Sequence, residues 1–314
     1  MEETQAQMES TTRADAAAVS RTPPEAQPPN AVVPQASSGS CPTCAAAAQA
    51  DARASTPAYI YVIGHIEPRF PVLSLEKELA QATKRAGGTV DLTDRQATHK
   101  VLSDPTNRYI VRQLCWVLQV QGVDTYVLVP RDPLDYVLLL EAYRASPNPG
   151  DLDVVIGVRG PIAPASMCNG LLVPILIFDQ VYSFGRQTLL DALKPPKEVE
   201  AKKFAAAAAE MLDRITVQSD NAGDTPAHRA LNYLAVRYDQ VYATAANAFA
   251  NNASFRSVDV LPSPLSGTRH IVDVVFTFAD RATDVVSKHF ARVDVTEEFP
   301  FLVTKMSPYH DRPI

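Results

Sequence analysis

The chain has 314 residues, 46% of them hydrophobic and 20% charged, and a formal net charge of −6. That composition is ordinary for a globular protein. The charge has no basic block to neutralise phosphates, which argues against a nucleic-acid partner. No apolar run approaches the ~20 residues of a membrane helix, so no membrane partner is expected.

Residues 1–56 are Ala, Pro, Ser, Gln and Thr with hardly a large apolar side chain, and six acids there face three arginines. Such a segment buries too little apolar area to offset its ordering entropy, and it reads as a disordered tail. Glu2 and Glu3 with no apolar stretch behind them do not make a signal peptide, so a cytoplasmic location is expected.

Structure begins at Tyr59–Ile63, an apolar run that reads as a buried strand broken at Pro68 and Pro71. Ser74 is placed to cap a helix through Arg85, stopped by Gly87-Gly88. Thr93 with Gln96 forms a capping-box pattern for a second helix ending before Pro105. Tyr109–Val120 reads equally as helix or strand. Thr125–Val129 reads as a strand ended by Pro130, Leu134–Arg144 as a helix, and Asp153–Val158 and Leu171–Phe178 as strands. This alternation marks 57–194 as an α/β lobe with a mixed sheet.

Pro195-Pro196 opens the second lobe, 195–314. Glu198–Gln218 is Ala-rich and helix-forming. Thr225-Pro226 starts a helix whose apolar face runs unbroken from Leu231 through Tyr238 to Phe249. Then the period changes to two. Val272, Val274, Phe276 and Phe278 share one face, and segments near 257–261, 288–295 and 301–306 complete an antiparallel meander. The fold class is therefore α+β or α/β, two lobes sharing one core.

Four cysteines carry the most specific chemistry. Cys41-Pro-Thr-Cys44 places two thiolates on one turn, and Cys115 and Cys168 could complete a tetrahedral structural zinc site. Lone cysteines are otherwise small buried hydrophobes. Thiol–disulfide exchange is disfavoured because no strand precedes the motif. No G-x-S-x-G elbow, H-E-x-x-H pair or phosphate-binding glycine loop is present. His65, Glu67 and Arg69 alternate just past the first strand, and Arg131 and Arg159 follow later strands, where sheets border binding crevices. Ion pairing among loop residues is the plainer use of these five side chains. Asp294, Glu297 and Glu298 read as an exposed acidic turn.

Together with the CPTC turn, Gly64-His-Ile-Glu-Pro-Arg-Phe70, Leu92-Thr-Asp-Arg95, Arg112-Gln-Leu-Cys-Trp116, Val155-Ile-Gly-Val-Arg-Gly-Pro161, Met167-Cys-Asn-Gly170, Asp220-Asn-Ala-Gly223, His228–Tyr238 and Val293–Phe301 span nearly everything after residue 40. In these stretches the chain resembles the C-terminal domain of unknown function of PatA and PatG from patellamide (cyanobactin) biosynthesis. In that family the domain accompanies a protease or macrocyclase, and none fits this chain. The resemblance therefore implies an accessory place in a ribosomal-peptide pathway, with a precursor peptide or a biosynthetic protease or modifying enzyme as partner. All four cysteines fall in family-like motifs, which favours the zinc site, although Ala45 stands where zinc knuckles often carry Gly. The expected protein is a non-catalytic accessory. The alternative is a peptide-modifying enzyme using His65, Glu67 and Arg69.

Overall fold

A computed structural model describes residues 58–86, 93–148, 150–193, 195, 199–216 and 220–311. The tail with Cys41 and Cys44, and the Gly87-Gly88 stop, lie outside the described residues.

Five strands close into a barrel. β1 (Tyr59–Arg69) pairs antiparallel with β2 (Cys115–Val120) and with β4 (Asp151–Ile162). β3 (Val123–Pro130) pairs antiparallel with β2 and parallel with β5 (Pro174–Gly185), and β5 returns antiparallel to β4. The order is β1-β2-β3-β5-β4, with a single parallel pair in an otherwise antiparallel ring. Gly157 is dictated by this closure, since a Cβ there would stand 2.1 Å from the Ile177 carbonyl oxygen.

Strand periodicity divides most of the apolar residues between two large cores, beside a small third cluster of Cys115, Val117, Val127, Ala163 and Cys168. Ile60, Val62 and Ile66 of β1 join Trp116, Leu118, Leu128, Val155 and Phe178 in one cluster. Helices α1 (Leu73–Arg85), α2 (Asp94–Leu102), α3 (Arg108–Gln113) and α4 (Tyr136–Ala142) contribute to that cluster. Tyr61 and Ile63, one step out of phase, join Val154 and Ile156 in the second. There they meet α6 (Ala201–Thr216), α7 (Pro226–Arg237) and α8 (Gln240–Ala250) and one face of the meander. On α6 the buried side chains Phe204, Ala207, Ala208, Met211, Leu212 and Ile215 recur at helical spacing. A short α5 (Arg186–Ala192) leads from β5 toward α6.

The meander is β6 (Ala253–Pro262), β7 (Ile271–Asp280), β8 (Val286–Asp294) and β9 (Phe301–Pro308), paired in chain order. Val272, Val274, Phe276 and Phe278 face the helices as the alternation predicts. The opposite face of β7 is buried too, because β7 is central and its neighbours' side chains close over Asp273, Val275 and Thr277.

The mixed-sheet lobe, the helices and the meander stand as expected, and several local readings change. Ser74 is not a cap, because the backbone is already helical at Leu73 and Val72 holds the N-cap position. The ambiguous 109–120 stretch splits into α3 and β2, with extended Leu114 between them. β1 runs through Pro68 to Arg69, and β4 through Arg159 to Ile162, so neither strand ends where the sequence suggested. Past Gly64, β1 pairs only with β2, and the free edge makes Pro68 tolerable. The long helix of 226–249 is two helices. Tyr238 takes extended backbone between them, and its hydroxyl accepts the Met306 N–H at 2.8 Å.

Candidate functional site

Charged side chains collect at one rim of the barrel. Pro130 ends β3, and the next residue, Arg131, donates its backbone N–H to Phe178 O at 3.0 Å. Its guanidinium forks onto Asp179 of β5, Nε to Oδ1 at 2.6 Å and Nη2 to Oδ2 at 2.7 Å. The Glu298 carboxyl is pushed up to about 7, first by burial and then by its interaction with Asp179. Burial and a neighbouring negative charge both disfavour a second carboxylate, so Glu298 keeps its proton to higher pH than a free glutamate does.

The loop bearing Glu298, between β8 and β9, is clamped by Arg229 of α7. Arg229 is 5% exposed and donates Nη1 to Val295 O at 2.6 Å and Nη2 to the carbonyls of Glu297 and Glu298. Burial lowers its pKa to about 10, which leaves it cationic at neutral pH. Its guanidinium lies 5.4 Å from the centroid of the Tyr59 ring, and the Tyr59 hydroxyl donates to Glu297 Oε2 at 3.4 Å. Arg159 pairs with Asp224 at 3.4 Å, and Asp224 lies 3.6 Å from His228 Nδ1. Asp294 is not an exposed acid. It is 1% exposed, with its Oδ2 2.6 Å from Arg269 and its Oδ1 accepting from the Thr296 N–H.

The residues singled out in the sequence do not form one site. Glu67 accepts Arg95 Nη1 at 2.6 and 2.8 Å, and Arg95 also donates Nε to Arg144 O and stacks 4.0 Å over Tyr143. Arg69 reaches Asp124 at 2.8 Å. His65 stands apart, lining a cavity of about 230 Å³ with Gln121, Arg186, Asp213 and Thr216. Arg131 and Arg159 each hold a different acid on the rim.

Cys115 and Cys168 do converge. Both are buried, their Cα atoms are 5.5 Å apart, and they are joined as a disulfide that ties the 163–173 loop to the outer face of β2. Asn169 and Gly170, both at positive φ, turn the chain just after Cys168. Among the described residues, no three His, Cys, Asp or Glu side chains group as a metal site.

Asp179, Arg229 and Tyr59 were not picked out as site residues in the sequence, and Glu298 was read there only as part of an exposed acidic turn. Asp179 had a signal, an acid set directly after the apolar run ending at Phe178. Arg229 had none, because its partners are carbonyls of a loop 66 to 69 residues away.

A family model described as PatG Domain matches residues 59–253, and one described as PatG C-terminal matches residues 198–309. A solved structure described as a PatG domain of unknown function is similar in fold, with a TM-score of 0.62 at 20% identity, covering 80% of this chain and 98% of that one. No curated protein sequence matches significantly.

Proposed function

Because the chain belongs to the PatG domain family, we propose that it is a non-catalytic accessory protein of a cyanobactin-like, ribosomally made peptide pathway, recognising a precursor peptide or a biosynthetic protease or modifying enzyme. The observation that carries this reading is how the charged groups are spent. Arg131 on Asp179, Arg159 on Asp224, Glu67 on Arg95 and Arg69 on Asp124 each tie two distant segments together, as scaffolding does. The test is to incubate the purified protein with the linear precursor peptide and follow both binding and peptide mass. Saturable binding without a mass change is expected. A protein-dependent mass change abolished by Glu67→Ala would overturn the non-catalytic reading.

An acid–base enzyme is the second reading, and the observation favouring it is the Asp179–Glu298 pair, poised near neutral pH beside Arg131. A mass change lost in Glu298→Gln but kept in Glu67→Ala would select it.

The accessory role includes a structural zinc held by Cys41, Cys44, Cys115 and Cys168. The convergence of Cys115 and Cys168 supports it, since two ligands of one ion must be neighbours. Zinc needs thiolates, so the disulfide and the metal exclude each other, and a reducing compartment favours the metal. Four sulfur ligands leave no position for water, which makes the role structural. Protein purified under reducing conditions should carry one zinc per chain, lost in Cys41→Ser/Cys44→Ser. Undiminished zinc in that variant would remove Cys41 and Cys44 from the site.

A further inference from the structure

A separate cavity lies away from the charged rim. It is a cleft of about 650 Å³ between α8 and the far end of the meander, within the usual size of a small-ligand site (~300–1,000 Å³). One wall is a polar stripe on α8. Gln240, Thr244 and Asn247 recur at i, i+4 and i+7, and the C-cap Asn251 continues the row. A solvent-facing helix stripe in this chain is otherwise rich in charge, as Lys202, Lys203, Glu210 and Arg214 are on α6. Here the stripe is carboxamide and hydroxyl only.

Among the described residues, the side chains of Gln240, Thr244 and Asn247 make no hydrogen bond to the protein, nor does that of Ser287 on the opposite wall. Their donors and acceptors remain open toward the cleft. His289 stands on that wall too, stacked edge-on to Phe278, and burial lowers its pKa, so the imidazole is neutral at pH 7. The lining includes no Lys or Arg. Its one acid, Asp280, turns Oδ1 onto Ala282 N, Thr283 N and Thr283 Oγ1, fixing its own turn. Small apolar groups such as Ala248, Val285 and Met306 fill the remainder.

Carboxamides and hydroxyls donate and accept at once, and so match the paired N–H and C=O of peptide groups. With no Lys or Arg in its lining, the cleft offers an anionic ligand hydrogen bonds but no countercharge to offset its lost hydration. We propose that this cleft binds an uncharged peptide segment, its amides meeting the α8 carboxamides and its small apolar side chains resting among Ala248, Val285 and Met306. The proposal rests on the peptide-recognition reading above and names the surface that performs it.

The probe is a pool of N-acetylated, C-amidated hexapeptides of Ala, Val, Phe, Ser and Asn, followed by saturation-transfer NMR and by calorimetry on isolated binders. Asn247 is exposed, so Asn247→Trp fills the cleft without touching the core, and Ser287→Trp fills it from the other wall. Each should weaken binding at least about tenfold, equivalent to about 1.4 kcal/mol, with an unchanged melting temperature. Backbone N-methylation of a bound peptide should cost a similar factor, because a site built of hydrogen-bonding groups rejects ligands that lack them. Wild-type affinity in both tryptophan variants would overturn the cleft while leaving peptide recognition standing. No binding of this pool or of the linear precursor by the wild type would overturn peptide recognition itself. A second pool, with Asp, Glu or Lys in place of Asn, is measured beside the first, and tighter binding of its members would overturn the uncharged ligand class.

Discussion

Asn221 and Asn232 face one another in a reciprocal carboxamide pair, 2.7 Å one way and 3.1 Å the other, with both side chains buried. The second N–H of Asn232 reaches Tyr61 O at 2.8 Å, and the Tyr61 N–H donates to Gly223 O at 3.0 Å. Over this stretch β1 has a strand neighbour only in β4, and the Asn221–Gly223 loop with Asn232 takes the missing neighbour's bonds. Gly223 sits at φ +71°, where an added Cβ would stand 2.4 Å from Tyr61 O.

Asn232→Leu should therefore be costly. It strips partners from the Tyr61 carbonyl and from Asn221, each a buried group worth about 1–3 kcal/mol when left unsatisfied. Chemical denaturation should show a loss of about 2–4 kcal/mol. A loss below about 0.5 kcal/mol, the range of a neutral surface change, would mean water or a rearranged loop satisfies the strand edge.

Phe276 is 1% exposed at the centre of β7, within the cluster formed with α6–α8. Phe276→Ala should cost about 3–5 kcal/mol, as large-to-small changes in well-packed cores do. A change under about 1 kcal/mol would place this face of the meander outside the core.

Glu298 gives a pH signature with a definite sign. Its folded pKa is raised to about 7 from 4.5, so between those values the folded state binds more protons than the unfolded. Stability from this group is therefore present below about pH 4.5 and falls as pH rises toward 7. The groups facing it are Asp179, Arg131 and Arg229, with Glu297 and Tyr59 beside them. Glu298→Gln should flatten the decline across that window. Parallel pH profiles for the two proteins would assign the proton elsewhere.

Arg229→Ala should release the loop between β8 and β9, because three carbonyls lose their donor together. Hydrogen exchange at residues 295–299 should quicken while β7 stays protected. Arg229→Lys should rescue only part of this, since an ammonium cannot fork to separated carbonyls as a guanidinium does. Unchanged exchange in Arg229→Ala would show the loop is held from elsewhere.

Elements were legible in the sequence wherever one local rule decided them. The Thr93–Gln96 capping box forms with both bonds, Thr225 accepts from His228 N as an N-cap should, and the period-two run of β7 presents the face it predicts. Barrel closure was not legible, because β3 and β5 pair across 43 intervening residues with no local signature. Tyr238 fitted the helical apolar stripe by spacing, yet its hydroxyl is used on β9, and that tertiary bond accompanies the break. At the rim, the sequence named Arg131 and Arg159 but not the acids opposite, which arrive from β5 and from the loop before α7.

The two family models overlap over residues 198–253, and that overlap is the stretch of α6–α8. These helices pack on Tyr61, Ile63, Val154 and Ile156 of the barrel and on Val272, Val274, Phe276 and Phe278 of the meander within one cluster. Neither recognisable sequence unit thus owns a finished interior. Splitting the gene at either boundary would leave one product with a bare barrel wall or the other with a bare sheet. Recombination among relatives can therefore exchange the cleft and the rim only by moving the three helices with them.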